Sequence, residues 1–274
     1  MCDLDGCGHH DDLPPIEISD AARRAFLVGA TSLPLAAVLF DRALAAAAAA
    51  RLTEVAIPFG GDMVLAGSLA LPAAGKGPAI LLIHEWWGLN DQIKAVAAEF
   101  AALGYVALAV DLFGAPAATT PDAAQKLTAG IDAARATAAL VAAVDWLRRH
   151  GRSTGKVGTV GWCFGGGWSL NTALATPVDA AVIYYGNVRK TAAQLAPLTA
   201  PVLGHFGTLD KNINAEMVAG FEQAAAAAGK ADLLTLYWYE ADHAFANPTG
   251  ARYDVADAQL AWDRTVDFFK QHLG

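Results

Sequence analysis

The stretch Lys156-Val-Gly-Thr-Val-Gly161-Trp162-Cys163-Phe164-Gly165-Gly166-Gly167 decides how this chain is read. A short apolar run ends in glycines placed two positions before and two positions after Cys163. Glycine there removes the Cβ atoms that would clash in a tight strand-to-helix turn. The spacing therefore predicts an elbow that lifts the Cys163 side chain above the end of a strand. Such an elbow ordinarily carries serine; cysteine keeps the geometry and is the better intrinsic nucleophile. The first turn of the following helix supplies N–H groups and a dipole that favour a developing thiolate or oxyanion. Two other readings stand beside this one: a small apolar cysteine can simply be buried, and glycine-rich turns also bind phosphate. No Lys-Ser/Thr follows these glycines, however, and no Gly-x-Gly-x-x-Gly occurs.

Outward from the elbow, apolar runs suited to strands alternate with helical periods. Residues 54–59 and 63–71 flank Gly60-Gly61 and predict an opening hairpin. Buried strands are predicted at 79–84, 105–110, 157–161, 180–185, 202–206 and 234–239. Helices are predicted at 92–103, over the whole of 122–150 as one long helix ending in Arg148-Arg149-His150-Gly151, and at 253–273. This alternation predicts an α/β fold with a mostly parallel central sheet, helices on both faces and an antiparallel start. No Pro/Ser-rich linker divides residues 51–274, so they read as a single domain.

In such a sheet catalytic groups emerge at the carboxyl ends of strands, in the order nucleophile, acid, histidine. Asp210 follows the run 202–206 and His243 follows 234–239, each where a loop can aim it at Cys163. His243 then serves as general base, and Asp210 holds its tautomer and stabilises the imidazolium. The rivals have plainer roles. Asp242 reads as a solvated loop charge, Asp111 as the cap of the Leu112-Phe113-Gly114 turn, His205 as a satisfied core histidine and His84 as structural. His84-Glu85-Trp86-Trp87-Gly88-Leu89-Asn90 follows the first buried strand, where folds of this kind supply the second oxyanion N–H. A carboxylate at that place is unusual.

The Glu85-x-x-Gly88 loop, the cysteine elbow, the late Asp210, the strand end Tyr184-Tyr185-Gly186 and the ending Ala261-Trp262-Asp263-Arg264-Thr265 with Phe268-Phe269 together resemble the dienelactone hydrolase family, across about residues 54–272. The resemblance implies an α/β-hydrolase fold and a carboxylic ester or enol-lactone hydrolase that uses no cofactor and no metal. It implies the triad Cys163, His243 and Asp210, with Glu85 touching the resting thiol and helping to make thiolate when substrate arrives. Backbone N–H groups of Trp86 and Phe164 would bind the oxyanion, and Trp87, Trp162 and Tyr185 are candidates for the substrate pocket. The family holds a substrate carboxylate with two arginines, yet Asp111-Leu-Phe-Gly-Ala-Pro116 and His243-Ala-Phe-Ala-Asn247 contain none, and Arg252 lies nine residues past His243. Neutral esters or lactones are therefore expected to be turned over at least as well as anionic ones. Other readings are a general exported carboxylesterase or thioesterase with an aromatic pocket, and a binding protein that keeps the fold with a silent triad.

The first fifty residues read differently. Arg23-Arg24-Ala-Phe-Leu precedes a short apolar core at 26–40 and an alanine run, the pattern of a twin-arginine export leader removed near residue 50. The core holds Pro34 and is shorter than the roughly 20 residues that span hydrocarbon, so no membrane anchor is expected. The partners implied are the export machinery and a small-molecule substrate, and the location is periplasmic or otherwise extracytoplasmic. A terminal amphipathic helix packed on the domain is the alternative. Cys7-Gly8-His9-His10 could bind a metal in principle but lacks companion ligands, and it reads as part of a disposable leader.

Composition closes off other classes. Hydrophobic residues make up 55% of the 274, which excludes disorder of the whole chain. A net charge of −8 has the wrong sign for a phosphate-backbone binder, so no nucleic-acid partner is expected. Three cysteines, two of them in the leader, cannot build a disulfide framework.

Overall fold

A computed structural model describes residues 18–27, 38–39 and 41–274. The opening hairpin pairs β1 (Thr53–Pro58) with β2 (Val64–Ala70), antiparallel, with Pro58 opposite Val64. Its turn uses Gly60 and Gly61 at φ 58° and 69°, in the left-handed region that a side chain disfavours. Six strands follow: β3 (Gly77–Ile83), β4 (Val106–Asp111), β5 (Ser153–Trp162), β6 (Ala180–Tyr184), β7 (Val202–Gly207) and β8 (Leu234–Tyr239). They lie in the order β1-β2-β4-β3-β5-β6-β7-β8. β2 runs antiparallel to β4, and every later pairing is parallel. The sheet is thus the mostly parallel one the alternation predicts, and all five parallel pairings present their carboxyl ends on one edge.

Period-two alternation divides the strand side chains between two cores. Ile80, Leu82, Ala107, Ala109 and Val160 face the layer containing α3 (Asp91–Ala102) and α9 (Val255–Leu273), where Phe100 and Phe269 are fully buried. Ala79, Leu81, Ile83, Val106, Leu108 and Val110 face the layer containing α5 (Ala133–Arg149) and α8 (Ala215–Ala227). Each fully buried Leu, Ile or Phe contributes about 1.5–3 kcal/mol over leaving it exposed.

The single helix expected over 122–150 is two helices, α4 (Pro121–Ala129) and α5, set 88° apart. Gly130 ends the first, and Asp132 starts the second by accepting from the N–H groups of Ala134 and Arg135 at 2.9 and 3.0 Å. The helical period runs through the break because Ala, Leu and Val continue on both sides, so only the caps mark it. The remaining helices past residue 51 are α6 (Phe164–Ala175), the one-turn α7 (Ala192–Leu195) and a 3₁₀ turn at Ala231–Leu233.

Two N-terminal helices are described, α1 (Asp20–Leu27) with Arg23 and Arg24, and α2 (Arg42–Ala49). Asp41 caps α2, accepting from the N–H groups of Ala43 and Leu44, and it also pairs with Arg23. Leu44, Ala45 and Ala48 are buried in the same core as Ile93, Val96 and Phe100 of α3. Cys7, His9, His10 and most of the expected apolar leader core lie outside the described residues. Among the described residues no single helix is long and apolar enough to cross a membrane.

Candidate active site

At the junction of β5 and α6, Cys163 has φ 52° and ψ −114°, a left-handed backbone that non-glycine residues rarely adopt. The flanking glycines permit it. A Cβ on Gly161 would stand 2.0 Å from the Gly165 carbonyl oxygen, and one on Gly165 would stand 2.2 Å from that of Ile83. The Cys163 N–H donates to the Tyr184 carbonyl at 3.0 Å, tying the elbow to the end of β6. Its half-buried side chain lines a cavity of 530 Å³ together with Trp86, Phe164, Tyr185 and His243. The N–H groups of Trp86 and Phe164, the expected oxyanion donors, bond to no acceptor among the described residues.

Asp210 and His243 come together from the loops after β7 and β8. His243 Nδ1 donates to Asp210 Oδ2 at 2.6 Å, and both residues are nearly fully buried. The other carboxylate oxygen accepts from the N–H groups of Asn212 and Ile213 at 2.8 and 2.9 Å, which fixes the carboxylate's orientation. Burial pushes the Asp210 carboxyl up, but the His243 hydrogen bond and charge and the two N–H donors outweigh it and hold the group below the ordinary aspartate value. An ionised Asp210 accepts only, so the proton of the pair sits on His243 Nδ1.

Glu85 is 5% exposed. Its Oε2 accepts from Asn247 Nδ2 at 2.5 Å and its Oε1 from the Tyr185 hydroxyl at 3.4 Å. Burial raises its pKa, while His243, Asn247, Tyr185 and Arg252 pull the other way. The resemblance implies a carboxylate resting on the thiol; here its hydrogen bonds run to Asn247 and Tyr185 instead. Tyr185 remains a donor because burial, and then the charges of Glu85 and Cys163, hold its hydroxyl pKa well above the ordinary value. Tyr185 has φ 37°, and Ala244, next to His243, has φ 63°. Among the described residues these two and Cys163 are the only non-glycine residues with positive φ. Backbone strain is therefore confined to the surroundings of one cavity.

The rivals occupy the plainer roles. His84 donates from Nδ1 to the Glu85 carbonyl at 2.5 Å and accepts at Nε2 from the Leu112 N–H at 3.1 Å, so it ties two loops together. His205 bonds Tyr239 and Thr265, and burial lowers its pKa to about 3. Asp111 caps the Phe113 and Gly114 N–H groups. Asp242 is a partly exposed loop charge near Arg252. Two pocket candidates are placed elsewhere. Trp162, the last residue of β5, stacks on Tyr184 at 5.4 Å and lines a second cavity behind Glu85 with Tyr253 and Trp262. Trp87 is absent from the wall at Cys163 and packs against Trp86 at 4.9 Å. Tyr185 does stand on that wall, and so do Arg189 and Lys190, which the sequence reading did not single out.

Known proteins resemble this chain over most of its length. The family model described as the dienelactone hydrolase family matches residues 65–273. Protein usf of Aquifex pyrophilus is 34% identical over 217 residues, covering 76% of this chain and 93% of that protein. The carboxymethylenebutenolidase of Pseudomonas putida is 31% identical over 212 residues, covering 72% and 87%. The crystal structure of a dienelactone hydrolase-like promiscuous phosphotriesterase from metagenomic libraries superposes with a TM-score of 0.73 at 24% identity, over 81% of this chain and 99% of its own. At that identity the likeness is one of fold.

Proposed function

Because this chain belongs to the dienelactone hydrolase family, and is therefore a hydrolase acting on esters or lactones, we propose that it cleaves a small lactone or carboxylic ester through an acyl-enzyme on Cys163. The observation that carries this reading is the 2.6 Å bond from His243 Nδ1 to Asp210, with Cys163 and His243 on the wall of one cavity. The sulfur attacks the carbonyl carbon as its proton passes, by way of Glu85, to His243 Nε2. The carbonyl electron pair moves onto oxygen, where the Trp86 and Phe164 N–H groups stabilise the charge. Collapse expels the alcohol or enol oxygen, which takes a proton from His243. Water, deprotonated by His243, then attacks the thioester, releases the acid and restores the thiol.

Glu85 assists the first step. Burial raises its pKa, which makes its carboxylate a better proton acceptor than an exposed glutamate, and the Asn247 and Tyr185 bonds hold it near His243. Trp86, Phe164 and Trp168 make much of the cavity wall aromatic, which favours a general carboxylesterase or thioesterase as the second reading. We assign residues 1–50 as an export leader, on the Arg23-Arg24 pair and the short apolar stretch after it.

Cys163→Ala tests the reading. It should lower kcat/KM for p-nitrophenyl acetate by about a thousandfold or more while the protein remains folded by circular dichroism. Turnover like that of the unaltered protein would end the proposal. A panel of lactones and esters then separates a lactonase from a general esterase.

A further inference from the structure

The loop that follows β6 closes the cavity at Cys163 on one side. It reads Tyr185-Gly186-Asn187-Val188-Arg189-Lys190, and both cations stand on the cavity wall. No Asp or Glu lines that cavity, although the chain carries a net charge of −8. Among the described residues neither the Arg189 guanidinium nor the Lys190 ammonium has an ion-pair partner. Only the Arg189 backbone is tied, its N–H donating to Asn187 Oδ1 at 2.9 Å. The same two residues line a second hollow, of 310 Å³, against α8 with Asn214, Glu216 and Met217. They therefore stand where the catalytic cavity meets a neighbouring hollow, whose lining holds one carboxylate, Glu216.

Two adjacent cations, Arg189 exposed and Lys190 half-buried, on a cavity wall that carries no acid, form a local positive field in an acidic molecule. Guanidinium presents a fork of donors that matches a carboxylate or phosphate, and ammonium adds a point charge. We propose that Arg189 and Lys190 form an anion subsite. The substrate it selects is an elongated ester with its carbonyl at Cys163, a carboxylate or phosphate several bonds away between the two cations, and any remaining chain in the hollow against α8. This rests on the reading of Cys163 as nucleophile. It replaces the expectation of a neutral substrate, which came from two stretches, 111–116 and 243–247, that hold no arginine; the cations arrive from a different loop.

The test compares p-nitrophenyl hydrogen adipate with p-nitrophenyl methyl adipate, two chains of similar length that differ in the terminal charge. A p-nitrophenyl hexanoate ending in phosphate distinguishes the two kinds of anion. All release p-nitrophenolate, so one readout serves. The unaltered protein should prefer an anionic chain, and Arg189→Gln/Lys190→Gln should lower the anionic-to-neutral ratio of kcat/KM about tenfold or more. Lys76→Gln/Lys270→Gln removes the same charge at sites that do not line this cavity and should leave the ratio within about twofold. Free adipate should also inhibit neutral-ester turnover competitively, and less so as salt is added. A ratio near one in the unaltered protein, or an equal fall in both double variants, overturns the subsite. Turnover that survives Cys163→Ala overturns the nucleophile assignment instead, so the two failures are distinguishable.

Discussion

A carboxylate as buried as that of Glu85 costs the fold stability whenever it is ionised. Its pKa is raised, so the folded state loses stability as pH climbs from the ordinary glutamate value through the folded one. Glu85→Gln should therefore melt higher than the unaltered protein at pH 8, with the difference closing toward pH 4; a constant difference in thermal melts would contradict this. The same variant should lower kcat more than it raises KM, and leave iodoacetamide alkylation of the free enzyme unchanged or faster. Asp210 has the opposite sign. Its pKa is depressed, so its contribution is complete above the ordinary aspartate value and is lost as pH falls through the folded one. Asp210→Asn should cost more stability at pH 7 than at pH 3, and should lower kcat by roughly 10³–10⁴ because the tautomer of His243 is no longer fixed. The places of Cys163, Asp210, His243 and Glu85 at the ends of strands were legible because each follows an apolar run. Asn247 and Tyr185 were not legible as partners of Glu85, since those contacts join residues 162 and 100 positions apart. Trp162 was misplaced as a pocket residue because only the finished end of β5 shows which cavity its ring faces.

The elbow and the helix pair show two kinds of local instruction. Glycine spacing around Cys163 could be read from the sequence because the clash it avoids is between near neighbours. Gly161→Ala would drive a Cβ to 2.0 Å from the Gly165 carbonyl oxygen, between two backbone segments that cannot both give way. It should cost several kcal/mol and remove activity through misfolding, visible as a lost or broadened unfolding transition. The break between α4 and α5 was missed because apolar periodicity spans it. Its signal is Asp132, whose side chain caps two N–H groups. Asp132→Ala should lower stability by about 1 kcal/mol in urea unfolding, with kcat nearly unchanged. The mostly parallel sheet was readable because alternating buried strands and helices leave a chain few other arrangements, and the opening hairpin because Gly60-Gly61 parts two strand-like runs; the strand order was not readable.

For the whole molecule, the sheet assembles one cavity edge from loops that follow β3, β5, β6, β7 and β8. The N-terminal fifty residues stand apart in sequence, and their described part lays α2 on the core beside α3. If they are an export leader, Arg23-Arg24→Lys-Lys should hold the protein in the cytoplasm. The exported form should begin near residue 50 by N-terminal sequencing, and an exported form that begins at Met1 would contradict the assignment. Removal would leave a net charge of −4 and a single cysteine, Cys163. Acylation of that lone thiol can be followed by stopped-flow hydrolysis of p-nitrophenyl acetate, with intact-mass spectrometry of the quenched protein. An acyl-enzyme on Cys163 should give a burst of about one p-nitrophenolate per chain and an acetyl adduct that peptide mapping locates on Cys163 and that Cys163→Ala lacks. Steady turnover with no burst, no adduct and full activity in Cys163→Ala would contradict it.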